Sequence, residues 1–216
     1  MTQLFLSAFV TLFLVIDPPG CAPIYVGLTK GANNVQRRAM AIRATVIAGT
    51  ILLVFALFGE QLLSAMHIDL DSFRIAGGIM LFVIALEMVF EKRTQRREDR
   101  AEKIMAESAE TTEVEDVSVF PMAMPMMAGP GAIASIMLLT SNASGIEGTL
   151  VVLAALAAVL LLTMLALIAA GPLMRVLGDR VEAVITRLLG VLLAALSAQY
   201  VIDGLKNSFG IGLIGG

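Results

Sequence analysis

The sequence predicts an all-α membrane protein: six transmembrane helices forming two inverted three-helix repeats, with helices 1 and 4 broken at mid-membrane. Three observations carry that prediction. Hydrophobic residues make up 58% of the 216-residue chain and its mean hydropathy is +0.88, above the apolar share of a soluble domain. The charges gather between six apolar stretches, each long enough to cross a hydrocarbon core of roughly 30 Å. A Gly/Pro interruption then recurs at the middle of the first stretch of each half.

The first stretch, Leu4–Thr29, carries one charged residue, Asp17, and its centre reads Asp17-Pro18-Pro19-Gly20-Cys21-Ala22-Pro23. Proline removes a backbone donor and clashes with the preceding turn, so a continuous helix is not expected there. Non-helical backbone at membrane depth needs protein or a water-filled cavity around it, and an ionisable side chain there marks a functional site. A polar loop with Lys30, Arg37, Arg38 and Arg43 leads to the second stretch, Ala44–Met66. The third is Ser72–Phe90. In the loop Glu91–Asp116, fifteen of twenty-six residues are charged, which supports no core and reads as a solvated cytoplasmic segment.

The fourth stretch, Val117–Thr140, is interrupted by Pro121, Pro125, Gly129, Pro130 and Gly131. The fifth, Gly148–Gly171, is read as ending at Pro172. A loop with Arg175, Asp179, Arg180 and Glu182 precedes the sixth, Ala183–Ile202. Residues 1–90 thus form a first repeat, 91–116 a charged loop and 117–216 a second repeat. A shift of 111 lays Pro19-Gly20 on Pro130-Gly131, 112 lays Gly59 on Gly171, and 113 lays Arg74-Ile75-Ala76-Gly77 on Arg187-Leu188-Leu189-Gly190. Three spans per repeat is an odd number, so the halves are expected to run in opposite directions.

The loops after spans one, three and five hold thirteen Lys/Arg, against two on the other side, Arg74 and Lys206. By the positive-inside rule both termini are expected outside the cytoplasm. Met1-Thr2-Gln3-Leu4 has no basic n-region, so the first span is read as retained. One cysteine excludes an internal disulfide, and one histidine, His67, argues against a histidine metal centre. No nucleophile–base set or phosphate loop is visible. The expectation is a protein that is not an enzyme, with no cofactor, no metal and no nucleic-acid partner.

The motifs Asp17-Pro18-Pro19-Gly20 with Pro23-Ile24, Phe73-Arg74-Ile75-Ala76-Gly77-Gly78, and Pro121-Met122-Ala123-Met124-Pro125 with Ala128-Gly129-Pro130-Gly131-Ala132-Ile133 resemble the MarC family. The likeness covers essentially the whole chain. The resemblance implies a six-span inner-membrane protein of bacteria or archaea that transports or exports small neutral amino acids such as glycine and alanine. Cys21 departs from the asparagine that many members carry there.

Asp17-Pro18 reads as a helix N-cap with proline at the first helical position, and Gly129-Pro130 offers the same start in the other half. Each break would open a half-helix whose N–H groups and positive dipole end attract an anion such as an amino acid carboxylate. The candidate substrate-binding residues are Asp17, Pro18, Gly20, Cys21 and Ala22, with Pro125, Gly129, Pro130, Gly131 and Ala132. Bulky replacement of Gly20 or Gly131 is expected to fill the ligand's approach. Two roles stay open for Asp17: capping a helix, or meeting a substrate ammonium, coupling proton or cation. Glu87 reads as reaching the interface; Gln199 and Tyr200 read as interhelical or interfacial groups. Two alternatives remain: an exporter of inorganic ions or other small solutes, and an envelope protein acting through a partner. Self-association is left open.

Overall fold

The computed structural model describes residues 1–90 and 116–210, excepting the side chains at 173, 175–180 and 182. The charged-loop reading falls on 91–115, outside the described residues. What is described is helical throughout: α1 (Thr2–Ile16), α2 (Pro18–Leu28), α3 (Asn34–Ala65), α4 (Leu70–Val89), an irregular α5 (Ser118–Met127), α6 (Pro130–Ser141), α7 (Gly145–Ile168) and α8 (Ala170–Phe209). Five spans are long and apolar enough to cross a membrane, α1 and α2 counting as one, and six if the bent pair α5–α6 counts as one more.

Two boundaries differ from the sequence reading. α3 starts at Asn34 rather than near Ala44, because Asn33 and Gln36 form a reciprocal capping box, each side chain bonding the other's backbone N–H at 2.9 Å. Arg37, Arg38 and Arg43 therefore ride on a helix, not in a loop. The segment 172–182, read as a loop, is helix as well. Pro172 falls in the first turn of α8, where its missing N–H has no helical acceptor to lose.

α4 and α8 form the most extensive helix pair. A Cβ on Gly78 would lie 2.9 Å from the Ser197 carbonyl oxygen and 2.8 Å from Val201; on Gly190 it would lie 3.1 Å from the Ala85 carbonyl and 2.8 Å from Met88. Only glycine lets the backbones approach this closely, the usual device for helix association in lipid. The contacts are reciprocal. One shift of 112 residues carries Gly78, Ala85 and Val89 onto Gly190, Ser197 and Val201, so each glycine meets the equivalents of the other's neighbours. Contact positions rise on α4 as they fall on α8, so the pair is antiparallel. The same shift carries Asp17-Pro18 onto Gly129-Pro130 and Gly59 onto Gly171.

The principal packing runs between the halves: α1 on α7, α3 on α5, α6 and α7, α2 on α7 and α8, α4 on α6 and α8. α1–α2 is more enclosed than the four long helices, with 56% of its apolar window buried against their 22–39%, and most of α5–α6 is buried too. Those four carry much of the exposed apolar surface, including Val54, Phe58, Leu161, Leu165, Leu188 and Val191. Arg43 of α3 pairs with Asp116, holding the start of α5 against that helix.

Candidate functional site

α1 ends at Ile16 because Asp17 turns left-handed, at φ 59° and ψ 66°, and Pro18 follows with no N–H to donate. Aspartate and asparagine tolerate that region better than other side chains. Asp17 is 1% exposed. Its Oδ1 accepts the Gly20 N–H at 3.2 Å, and its backbone carbonyl accepts the Cys21 N–H at 3.0 Å. Pro18 and Pro19 lack an N–H, so the chain itself takes the first donors of α2. The capping reading of Asp17 is what the structure displays. Cys21 is fully buried, and its thiol lies 3.4 Å from the Ile16 carbonyl oxygen that terminates α1.

The second break is built differently. Phe120 and Met124 are extended, each before a proline, and the peptide bonds to Pro121 and Pro125 are cis. Two hydrogen bonds at the ends of α5 span five residues: Met122 N–H to the Val117 carbonyl at 3.2 Å and Ala128 N–H to that of Ala123 at 2.9 Å. α6 then starts at Pro130, bent 55° from α5, with Gly129 as an N-cap that has no side chain to offer. Its first turn is left without a side-chain cap. One turn on, the Ser135 hydroxyl is fully buried without a hydrogen-bond partner, as is that of Ser118 at the start of α5.

The two breaks are neighbours. α1 packs on α6, and Val15 lies 3.4 Å from where a Cβ on Gly131 would sit; α2 touches α5. Asp17, Pro18, Gly20, Cys21, Ala22, Gly129, Gly131 and Ala132 are buried, Pro125 is half-buried and Pro130 is exposed. The glycines do not border open space. A Cβ on Gly20 would fall 2.2 Å from Asp17 Oδ2, on Gly129 2.4 Å from the Pro125 carbonyl, and on Gly131 2.6 Å from Ile84. In this conformation the room expected for a ligand is filled by the capping carboxylate and by Leu81 and Ile84 of α4.

The sequence reading passed over two polar clusters. At the end of the bundle away from the basic loops, Arg74 is buried and pairs with Asp71 at 3.0 Å. It also donates to Asn142 at the end of α6, while Asn207 of α8 donates to Asp71 at 3.1 Å. This ties α4, α6 and α8 together. Nearby, Tyr200 of α8 lies beside Thr11 of α1, and Gln199 donates to Asp203 at 2.8 Å on the α8 surface. At the basic end, a cavity of about 260 Å³ lies between α2, the start of α3 and the α7–α8 junction. Arg74 carried a signal, since a buried arginine needs partners and Asp71 stands three residues away; the cavity had none, because it is made by three distant segments.

Known proteins with this sequence pattern span bacteria and archaea. A UPF0056 membrane protein of Methanocaldococcus jannaschii is 33% identical over 206 residues, 95% of this chain and 98% of its own. YvbG of Bacillus subtilis, also a UPF0056 membrane protein, is 34% identical over 97% of both chains. YhcE of Escherichia coli is 33% identical over 93% of this chain and 91% of its own. No solved structure matches. Residues 2–209 match the family described as MarC family integral membrane protein, and with relatives of such identity along nearly their whole length the chain belongs to that family.

Proposed function

We propose that the protein is a secondary transporter of small neutral amino acids, of the size of glycine and alanine, that binds its substrate between the two breaks and works by alternating access. The observation that carries the reading is the single 112-residue relation. It joins the two N-cap–proline starts, Asp17-Pro18 and Gly129-Pro130, to the reciprocal seam of Gly78 and Gly190. Paired interruptions at equivalent places in two repeats are the best sequence pointer to a transporter's site, and an antiparallel α4–α8 pair suits repeats of inverted topology. Exchanging the conformations of the halves would then open the site to the other side of the membrane.

The two half-helices divide the work. The first donor of α2 is held by Asp17, whereas the first turn of α6 has no side-chain cap. The substrate carboxylate therefore goes to the α6 N-terminus, where free N–H groups and the dipole favour an anion. The buried hydroxyl of Ser135, one turn along, is a further donor. Asp17 is the acid on the facing break, placed to balance the ammonium group once its hold on Gly20 loosens. Small residues on both sides, Gly20, Ala22, Gly131 and Ala132, suit a ligand of few atoms.

The test is counterflow of labelled glycine and alanine in proteoliposomes, with leucine, glutamate and chloride as comparisons. Saturable glycine or alanine exchange is expected, slowed in Ser135→Ala and not in the surface variant Thr50→Ala. Exchange of an inorganic ion without any of amino acids would replace this reading by the ion exporter.

A further inference from the structure

The cavity at the basic end has a chemistry of its own. Its polar wall is Thr29, Asn34, Arg37 and Arg38, and its apolar wall includes Val26 and Ile168. Arg37 is anchored, its Nε donating to the Thr29 carbonyl at 3.0 Å, so that guanidinium is held in place beside the cavity. Arg38 is exposed and lines the same space. Asn34 and Val35 open α3, whose capping box occupies the N–H groups of Asn33 and Gln36 and leaves theirs uncommitted. The start of α8 enters from the other side with Ala170, Gly171 and Pro172, and no side chain caps it. Among the described residues, nothing lies within 4 Å of where a Cβ on Gly171 would sit. Two guanidinium groups and two helix starts thus line one open space that has a polar side and an apolar side.

We propose that this cavity binds a phosphate-bearing anion, with the layering of its walls matching an anionic phospholipid headgroup. Arginine suits phosphate because its planar fork donates two parallel hydrogen bonds. Helix N-termini add positive potential, and basic pockets between helices on the cytoplasmic side are where such headgroups are held. The volume of about 260 Å³ accommodates a phosphate with its glycerol substituent. Acyl chains would continue outside, past exposed Ile168 into lipid. Because the ligand would bridge α2, α3 and the α7–α8 junction, it would bind the folded bundle and not the unfolded chain. The inference stands apart from the transport reading, since it uses none of the residues at the breaks.

The test uses the full-length protein in phosphatidylcholine nanodiscs. Phosphatidylglycerol is raised in steps while the thermal unfolding midpoint is followed, and a parallel arm adds inorganic phosphate to discs of phosphatidylcholine alone. A ligand that binds only the folded state raises the midpoint saturably. Arg38→Gln should need about tenfold more phosphatidylglycerol for half the rise, the loss expected for one charge-assisted contact. Gly171→Leu, whose side chain would enter empty space, should abolish the rise. Both variants should match the unsubstituted midpoint in phosphatidylcholine alone, which separates loss of binding from loss of fold. A rise with lipid only assigns the site to the headgroup; an equal rise with inorganic phosphate assigns it to the free anion. No saturable rise with either anion, or a rise unchanged in both variants, overturns the proposal.

Discussion

Asp17 performs two local tasks that separate by substitution. Its left-handed backbone ends α1, and its carboxylate caps α2 through Gly20. Asparagine can do both, because it tolerates the left-handed region and caps about as well. Asp17→Asn should therefore hold thermal stability within about 0.5 kcal/mol, whereas Asp17→Ala should lose about 2 kcal/mol from the missing cap and the strained backbone. Unfolding in detergent measures both. Transport by Asp17→Asn then reports on charge alone: retained exchange makes Asp17 a cap, and abolished exchange in a stable protein makes the carboxylate part of the site. Gly20 gives a second, coupled test. A methyl group there would displace the carboxylate, so Gly20→Ala should cost roughly 1 kcal/mol, as for a lost cap. On the Asp17→Ala background it should cost much less, since the displaced atoms are gone. Equal losses on both backgrounds would mean that Gly20 answers to some other neighbour.

The glycine seam is a property of two whole helices. Gly78→Ala and Gly190→Ala would each push a methyl group into the partner helix's backbone, an overpacking cost of about 1–3 kcal/mol. The two losses should be alike, because the sites are equivalent under the 112 shift. Gly27→Ala, with open space around it, should be neutral by the same thermal measurement. Sequence reasoning laid Gly77 on Gly190 because Arg74 and Arg187 drew the alignment to 113, whereas the α4 glycine at the α8 seam is Gly78. Gly77 lies one residue round the helix and faces Ala134 and Leu138 of α6 instead. One hundred degrees of helix separates the two glycines, and pattern matching alone does not say which of them meets the partner. The breaks themselves were legible because proline and glycine act on their own backbone. How tightly they are filled was not, since Leu81 and Ile84 come from α4, far along the chain.

At the scale of the molecule, hydropathy marked the spans and charge separated them, but neither told which helix packs on which. In lipid, apolar surface is buried whether it meets a tail or a neighbour, so the hydrophobic pattern does not choose partners. The choice rests on small residues and on polar ties such as Arg74 with Asp71 and Asn142, which join α4 of the first half to α6 of the second. Every extensive helix pair in the bundle crosses between the halves: α4–α8, α1–α7, α3–α7, α3–α5 and α3–α6. Neither three-helix unit therefore has a core of its own, although each carries enough hydrophobic length to enter a membrane alone. Cutting the chain within the charged segment 91–115 tests this. Each fragment expressed singly should insert and then be degraded, or aggregate on extraction, because the enclosed faces of α1–α2 and α5–α6 would be left against lipid. Co-expressed, the two should purify together through a tag on either one, with a thermal midpoint near that of the intact chain, since the cut removes no described contact. Gly78→Leu in the first fragment should prevent that recovery, its bulk striking the Ser197 carbonyl at the seam. A fragment that is stable and monodisperse alone would show that its half closes a core by itself.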